Sequence, residues 1–503
     1  MSSILGSALA ISGALPALFG LYLLTLAFAS LLPGRARGPG TPASQLVVLV
    51  PAHDEEVLVA RCVQTLLNQT YPRELYRVVV VADNCGDATA ARAAEAGAGV
   101  MVRVVPESPG KGQALRWAMD RLLVEDPALQ AVVVVDADTV VDRGMLSALA
   151  TELEAGHDVV QADYELLADD RSPRSEMIAA AFLLFHRVRF TGRARLGMPA
   201  NLVGNGMLFS RRVLAEHPWD AFTGVEDLEF SYRLRMAGVA PRFAPEARLW
   251  GAAPASRAGV SRQRLRWEGG RFHVVRSWLG PLLKTHVFDA AIDLATPPLA
   301  LLVIATSLGL AAAAGLALWD VAPYWSLTPW VVAMLSVTAF GVVGLWSAAG
   351  PQTVQRVVVG APRFVAWKAA TYIRLLRGHD AFRWERSDRH DDGAGSAGRV
   401  EIAGVPVDVV DMQGALARLR AAIRGSGLFH VSTINLDFLV RAQRDSEVRR
   451  IFREAHLNVA DGAPVVWLCR LLGAEMPGRV AGADLVPALL AEAAEADAGV
   501  FLL

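Results

Sequence analysis

The chain has 503 residues, which is more than one ordinary domain needs, so two or three domains are expected. Its residues are 53% hydrophobic and only 20% charged, which is unusually apolar for a soluble protein and indicates membrane segments. The formal net charge of −1 excludes a global positive field that would recruit nucleic acid, and three widely separated cysteines show no metal-ligand spacing or disulfide framework, as is typical of a reducing compartment.

The first predicted element is a membrane span. Residues 8–32 contain no charged side chain and are long enough to cross a bilayer as one helix. No Lys or Arg precedes them, so the basic region of a signal peptide is missing and an uncleaved span is favoured. Arg35 and Arg37 follow directly, which predicts that this end lies in the cytoplasm. We expect residues 1–34 to contain an N-terminal transmembrane helix.

Residues 46–250 alternate buried strands with helices, which predicts a doubly wound, largely parallel α/β sheet. The run Val132–Val135 is uninterrupted and β-branched, so it predicts a strand that is buried on both faces. In such sheets ligands bind outside the carboxyl ends of the strands, and several acids fall there. These acids are Asp54, Glu55, Asp83, Asp136 and Asp138. Each alone could form a turn or cap a helix, but several on one rim favour a cation site.

Asp136 and Asp138 are the candidate metal ligands. If the strand continued through them, their Cα atoms would be about 6.6 Å apart at ~3.3 Å per residue. That distance is wide for one ion, so either the chain bends here or the two carboxylates have separate roles.

Two more groups of candidate residues follow in this region. Lys111 begins a glycine-flanked helix, and "TGVEDLEF" offers Glu226, Asp227 and Glu229. These acids could serve catalysis, or they could simply favour the start of a helix. "QRLRW" supplies Gln263, Arg266 and Trp267, which could bind a diphosphate and a sugar ring or could form an amphipathic interfacial helix.

Two further spans are predicted within residues 286–350, at 294–319 and 329–349. The turn between them has one acid and no base, whereas the residues after the second are rich in Arg, so the short loop is expected outside and the rest inside. Residues 351–399 are expected to form a basic interfacial helix, over 351–379, and then a polar, glycine-rich linker at 385–399. A second α/β region is expected at 400–503.

Six motifs in the first region carry a family resemblance. They are "PAHDEE", "ADNC", "GKGQAL", "DADT", "TGVEDLEF" and "QRLRW", in that order. Residues 45–385 resemble membrane-bound family 2 glycosyltransferases of the GT-A fold, near cellulose and hyaluronan synthases. The resemblance implies a GT-A domain at 45–285, a nucleotide-sugar donor, and Mg²⁺ or Mn²⁺ as cofactor. The cation would stabilise the charge of the departing diphosphate.

The same resemblance implies roles for single residues. Asp138 would hold the metal, Asp136 the metal or the nucleotide, and Asp227 would be the catalytic base that activates the acceptor hydroxyl. The other implied donor-binding residues are Glu55, Asp83, Lys111, Gln263, Arg266 and Trp267. A single displacement opposite the diphosphate would invert the anomeric centre.

The second region resembles the WecG/TagA/CpsF family, glycosyltransferase family 26. The residues that carry the resemblance are "TINLDFLVRAQRD", "NVADGAPVVWLCRLLG" and "RVAGADL". It implies that Asp461 is a catalytic base and that Thr433 and Asn435 line a donor pocket, although Asp461 followed by Gly462 also suits a turn. Since members of this family continue with further strands and helices beyond the position of Leu503, we expect an incomplete domain, either a fragment or a degenerate one, whose activity stays open.

These features predict a membrane-anchored inverting glycosyltransferase of the bacterial inner membrane, with cytoplasmic catalytic domains. It would move a sugar, favoured as a UDP-sugar, to a lipid-linked or polysaccharide acceptor in cell-surface polysaccharide biosynthesis, with a complex of other synthesis proteins as a compatible setting. A processive synthase is the nearest alternative, but three spans make a poor pore for one chain. A non-catalytic sugar-nucleotide-binding scaffold is a further alternative. A transporter is disfavoured because no span has a charge at its middle.

Overall fold

The computed structural model describes residues 2–34, 42–167, 173–223, 225–252, 274–376, 399–402, 404–424, 429–472, 474 and 476–495. The chain divides into two compact units, Met1–Asp388 and Arg389–Leu503. The linker predicted at 385–399 lies outside the described residues except for Arg399, which begins a strand.

Three helical segments of the first unit are long and apolar enough to cross a membrane, and they coincide with the three predicted spans. They are Ser2–Ser30, Leu299–Leu318 and Tyr324–Ala349. We call the first α1, the second α12, and the regular helix of the third α13 (Thr328–Ala349). Helix α1 packs along α13, where the indole Nε1 of Trp330 donates a hydrogen bond to the carbonyl of Leu9 at 3.0 Å.

The α/β part of the first unit contains one eight-stranded sheet with the order β3-β2-β1-β4-β7-β6-β8-β5. The strands are β1 (Leu46–Ala52), β2 (Tyr76–Asp83), β3 (Gly99–Arg103), β4 (Ala131–Val134), β5 (Thr139–Val141), β6 (Val159–Leu167), β7 (Met207–Ser210) and β8 (Arg242–Ala252). Both faces are covered, which is why the strands read as unbroken apolar runs. Val48 and Val50 pack into one core, whereas Val47 and Leu49 pack into the core on the opposite face.

The direction of the strands changes across the sheet. Strands β3, β2, β1 and β4 are parallel, as the alternation of strands and helices predicts. Strand β7 runs antiparallel to both of its neighbours, β4 and β6, and β5 runs antiparallel to β8. Since β4 and β6 are both antiparallel to β7, and β8 is parallel to β6, six of the eight strands run in one direction. The sheet is largely parallel, as predicted, and β7 and β5 are the reversed strands, whose direction helical periodicity in the sequence does not give.

The sheet is flanked by helices that the sequence pattern predicts in part. They are α2 (Val59–Leu67), α3 (Thr89–Glu95), α4 (Lys111–Glu125), α5 (Met145–Glu154), α6 (Pro173–Leu183), α7 (Arg189–Arg195), α8 (Arg211–Glu216), α9 (Glu226–Met236), α10 (274–284) and α11 (Phe288–Ala295). A π-helical turn, Leu184–Val188, joins α6 to α7. The predicted basic helix is α14 (Pro351–Leu376), which packs against α6 and α13; its place at the membrane surface stays a prediction.

The second unit is a smaller α/β body. Its strands are β9 (Arg399–Ile402), β10 (Val405–Asp408), β11 (Val431–Ile434) and β12 (Leu457–Ala460). Its helices are α15 (Met412–Arg424), α16 (Leu436–Arg444), α17 (Ser446–Glu454), α18 (Ala463–Leu471) and α19 (Gly482–Glu495). Strands β9 and β10 form an antiparallel pair and β11 and β12 a parallel pair. The unit has its own buried core, to which Val405, Ile434 and Val465 contribute.

Candidate active site

The acidic pair after β4 lies in a turn and not in an extended strand. Strand β4 ends at Val134, and the amide of Thr139 donates a hydrogen bond to the carbonyl of Asp136 at 3.1 Å. Strand β5 then begins at Thr139 and pairs with a different neighbour, β8. The chain therefore bends at Asp136–Thr139, as one of the two predicted alternatives requires.

Lys111 joins this turn to the loop before β7. Its ammonium Nζ lies 2.5 Å from Oδ1 of Asp136 and donates to the carbonyl of Gly204 at 2.6 Å. Burial by itself would lower the pKa of Lys111, but the carboxylates of Asp136, Glu226 and Asp227 outweigh it and the pKa is raised. The side chain is therefore a fixed positive charge at the carboxyl ends of the strands.

Asp227 lies beside the same loop. It is the second residue of α9, and a methyl group placed on Gly204 would come within 3.0 Å of its Oδ2. Burial, followed by the charge of Glu226, raises the pKa of Asp227 to about 7, although a hydrogen bond from the amide of Leu228 and the charge of Lys111 oppose this. A carboxylate with such a pKa can accept a proton near neutral pH.

Asp83, at the end of β2, is buried and tightly paired. Its Oδ1 lies 2.5 Å from the guanidinium of Arg103, and its Oδ2 accepts a hydrogen bond from the amide of Gly110 at 3.4 Å. Arg103 also donates to the carbonyl of Ser108 at 2.8 Å and so shapes the loop before α4. The sequence pattern gave no signal for Arg103, because its partner is distant in the chain. The role of Asp83 in binding the donor stays a prediction.

A second group of potential ligand atoms lies on His53, Asp54 and Cys85, within 4.8 Å of one another. His53 Nδ1 hydrogen-bonds to the carbonyl of Asp83 at 2.7 Å, and Asp54 Oδ1 accepts a hydrogen bond from the amide of Gly86 at 2.7 Å. These bonds tie the loop after β1 to the loop after β2, so the group has a structural role in holding the rim.

Two of the three predicted site residues of the second unit, Thr433 and Asp461, lie close together. Oδ2 of Asp461 accepts a hydrogen bond from the amide of Gly482 at 3.3 Å, and Oγ1 of Thr433 would lie 3.5 Å from a methyl group placed on Gly482. Asn435 caps α16, since its side-chain oxygen accepts a hydrogen bond from the amide of Phe438 at 3.0 Å. Thr433 and Asp461 therefore meet at the start of α19, whereas Asn435 has a structural role that the sequence analysis did not assign.

Comparison with known families agrees with this division of the chain. Residues 42–270 match the family model described as "Glycosyltransferase like family 2", and residues 400–503 match the one described as "Glycosyl transferase WecG/TagA/CpsF family". The chain carries two glycosyltransferase-family segments. Both resemblances inferred from sequence motifs are confirmed. The mixed sheet and the family match together assign the GT-A fold to the family 2 segment.

Individual relatives share low sequence identity with this chain. The Probable glycosyltransferase YdaM of Bacillus subtilis is 26% identical over 244 residues, which are 47% of this chain and 57% of that relative. The mannosyltransferase PcManGT from Pyrobaculum calidifontis, in complex with GDP-Man and Mn²⁺, is 19% identical over 69% of this chain and 99% of that chain, with a TM-score of 0.42. S. aureus TarS 1–349, in complex with UDP-GlcNAc, is 15% identical over 61% and 92%, with a TM-score of 0.38.

The carboxylates of the family 2 segment fit a hard divalent cation. Burial, followed by the charges of Asp138, Asp136 and Glu55, raises the pKa of the Cys62 thiol. Cys62 Sγ also donates to the carbonyl of Asp136 at 3.4 Å. Carboxylate oxygens are preferred ligands of Mg²⁺ and Mn²⁺, so the donor set at the Asp136–Asp138 turn suits either ion.

Three predicted donor-binding residues of the family 2 segment cannot be placed. Gln263, Arg266 and Trp267 lie outside the described residues. Among the predicted residues that the structure does describe, Asp136, Lys111 and Asp227 lie close together around Gly204.

Proposed function

We propose that the protein is a membrane-anchored inverting glycosyltransferase that moves a sugar from a nucleotide-sugar, favoured as a UDP-sugar, to a lipid-linked or polysaccharide acceptor. The observation that carries this proposal is the position of Asp227. Its carboxyl, with a pKa raised to about 7, lies beside the α-carbon of Gly204, whose carbonyl accepts a hydrogen bond from Lys111, and Lys111 in turn pairs with Asp136. A base, a fixed cation and a metal-ligand turn therefore share one rim of the sheet.

Each group has a distinct part in a single displacement. Asp136 and Asp138 would hold Mg²⁺ or Mn²⁺, which supplies charge stabilisation to the departing diphosphate when bound. Lys111 adds a second positive charge at the same place, because the carboxylates around it keep it protonated. Asp227 takes the proton of the acceptor hydroxyl as it attacks, and attack from the face opposite the diphosphate inverts the anomeric centre.

The membrane part of the proposal rests on three apolar helices and on the distribution of basic residues. Arg35 and Arg37 follow α1, and Arg356 and Arg363 follow α13, so these ends are assigned to the cytoplasmic face of the inner membrane. The family 2 segment is in one compact unit with these helices, which supports an acceptor that is itself at the membrane, such as a lipid-linked glycan.

The second segment extends the proposal to a further sugar-transfer step. Asp461 is its candidate base, and Thr433 meets it at the start of α19. Two glycosyltransferase-family segments in one chain support successive sugar additions in one polysaccharide pathway, with other synthesis proteins as partners.

The test is metal-dependent nucleotide release by the purified protein in detergent over a panel of nucleotide-sugars. We expect turnover with one donor in the presence of Mn²⁺ or Mg²⁺, its loss with EDTA, and its loss in Asp227→Asn. Glu229→Gln is the matched control, since Glu229 lies on the same turn of α9 but binds Thr223 at 3.0 Å and Arg233 at 2.9 Å. Undiminished turnover after removal of divalent ions would contradict the proposal.

The length of the product separates limited transfer from processive synthesis. With a radiolabelled donor, one discrete shift of the acceptor is expected. A ladder of products would instead favour the processive alternative.

A further inference from the structure

We propose that Asn205 is a positioning residue that fixes the Asp136–Thr139 turn in its metal-binding shape; the metal part of this inference rests on the proposed function. Asn205 is 0% exposed, and both polar atoms of its side chain are used. Its Oδ1 accepts a hydrogen bond from the amide of Asp136 at 3.1 Å, and its Nδ2 donates to Oγ1 of Thr139 at 2.8 Å. One amide group therefore closes the turn from both ends.

The turn needs such a support because it lies between two strands that do not pair with each other. Strand β4 ends at Val134, and β5 begins at Thr139 on the far side of the sheet. Within the turn, the bond from the Thr139 amide to the Asp136 carbonyl is short-range and leaves the direction of the two carboxylates open. The side chain of Asn205 adds a fixed reference point from another element.

Asn205 is itself held rigidly by Gln161, which is also 0% exposed. The side-chain oxygen of Gln161 accepts a hydrogen bond from the amide of Val203 at 3.0 Å, and its Nε2 donates to the carbonyl of Asn205 at 2.8 Å. The next amide, of Gly206, donates to the carbonyl of Val134 at 2.9 Å. The loop is thus bonded to both neighbouring strands, β6 and β4, on either side of Asn205.

The same loop reaches the other two site residues. Gly204 has φ +81°, a conformation that favours glycine, and a Cβ there would lie 3.0 Å from Asp227 Oδ2. Its carbonyl receives the bond from Lys111 Nζ at 2.6 Å. Residues 203–206 therefore set the relative positions of the metal-ligand turn, the cation and the base. Asn205 acts through Asp136 and Thr139 and has no assigned contact with a substrate.

The cleanest test removes the hydroxyl contact without enlarging or shrinking a buried side chain. Thr139→Val keeps the shape of Thr139 and loses the acceptor for Asn205 Nδ2, whereas Thr139→Ser keeps the hydroxyl. Asn205→Ala removes both contacts, and Asn205→Asp keeps an acceptor for the Asp136 amide but loses the donor to Thr139. Each full-length protein is purified in detergent, and its folding is checked by its unfolding temperature and gel-filtration profile.

Two readouts follow, neither of which is activity. The first is hydrogen–deuterium exchange of the peptide that covers residues 131–142, without metal. The second is Mn²⁺ affinity by electron paramagnetic resonance in the presence of UDP. We expect faster exchange and at least about tenfold weaker Mn²⁺ binding in Thr139→Val and Asn205→Ala, since partners of metal ligands commonly contribute 10–100-fold in affinity. Thr139→Ser is expected to resemble the wild type.

Each result decides one of the two claims. Unchanged exchange in folded Thr139→Val and Asn205→Ala overturns the positioning role of Asn205, and so does an equal loss in Thr139→Ser. If Asn205→Ala alone does not fold, the comparison of Thr139→Val with Thr139→Ser still decides the inference. Faster exchange combined with no Mn²⁺ binding by the wild type would leave Asn205 as a positioning residue and overturn the proposed metal-dependent function.

Discussion

At the scale of single residues, the base and its neighbour on α9 form the most informative pair. Asp227 is half-buried, and its loss of solvation, followed by the negative charge of Glu226, raises its pKa to about 7. The active base is the ionised form, so kcat/KM should fall as the pH decreases below about 7, by about tenfold per unit. Glu226 is thus expected to tune the pKa of the proposed base without accepting the substrate proton.

We predict that Glu226→Gln moves the acidic limb of the pH–rate profile to lower pH. Removal of the Glu226 charge removes a repulsion that raises the pKa of Asp227, so the base stays ionised in more acidic solution. The measurement is kcat/KM between pH 5 and 9 in constant ionic strength. Glu229→Gln should leave the limb in place; an equal shift in both variants would mean that Glu226 has no specific effect on Asp227.

The ionised form of Asp163 on β6 destabilises the folded protein. Its carboxyl is 0% exposed, neither oxygen has a hydrogen-bond partner among the described residues, and the guanidinium of Arg187 lies 3.5 Å away. Burial therefore raises the pKa of Asp163 to about 7. Because the folded protein binds this proton more tightly than the unfolded chain, the contribution of Asp163 to stability is lost as the pH rises from about 4 to about 7.

We predict that Asp163→Asn stabilises the protein at pH 8 more than at pH 5. The gain at pH 8 has an upper limit of about 4 kcal/mol, since each pKa unit corresponds to about 1.4 kcal/mol. Unfolding temperatures of the variant and the wild type in detergent at the two pH values test this. Glu95→Gln, at an exposed position of α3, is the control and should show no such difference. A variant that is less stable at pH 8 than the wild type would refute the prediction.

At the scale of elements, α11 joins the catalytic sheet to the membrane helices through two carboxylates one helical turn apart. Asp293, 1% exposed, accepts hydrogen bonds from Tyr22 of α1 at 3.1 Å, Arg189 of α7 at 3.0 Å and Asn201 at 2.7 Å. Asp289 lies 2.7 Å from the guanidinium of Arg193. Asp289 also pairs with Arg235 of α9, the helix that carries the proposed base.

We predict that Asp293→Ala destabilises the first unit strongly. Loss of one partner from a buried ion pair leaves uncompensated charge on its arginines and typically costs about 3–5 kcal/mol. The unfolding temperature in detergent should therefore fall, whereas Asp320→Asn, in the exposed turn after α12, should leave it unchanged, because Asn tolerates the left-handed backbone of this position. Equal unfolding temperatures for the two variants would show that this network does not hold the elements together.

The elements also show what a sequence can and cannot predict. Strands β1, β2 and β4 and helix α4 were predictable, because apolar runs and helical periodicity are local signals. The position of the acids at the carboxyl ends of these strands was predictable from the order of strands and helices. The antiparallel course of β7, the pairing of Asp83 with Arg103 and the support of Asp136 by Asn205 were not predictable. Each of these depends on contacts between residues far apart in the chain, for which one sequence carries no signal.

At the scale of the whole molecule, the two units have separate cores and separate candidate bases. Val48 and Val133 belong to the core of the first unit, and Ile434 and Val465 to that of the second. The two glycosyltransferase-family segments are therefore expected to bind their donors independently.

We predict that a chain truncated after residue 388 keeps the metal-dependent transfer of the first unit, because every residue assigned to that reaction precedes the cut. In the full-length protein, Asp461→Asn should leave this transfer within about twofold of wild type, whereas Asp227→Asn should abolish it. Nucleotide release from the donor identified in the panel measures all three. If the truncated chain folds, as a monodisperse species with a cooperative unfolding transition, and yet binds no nucleotide-sugar, the second unit must complete the first site. The account of two independent segments would then be wrong.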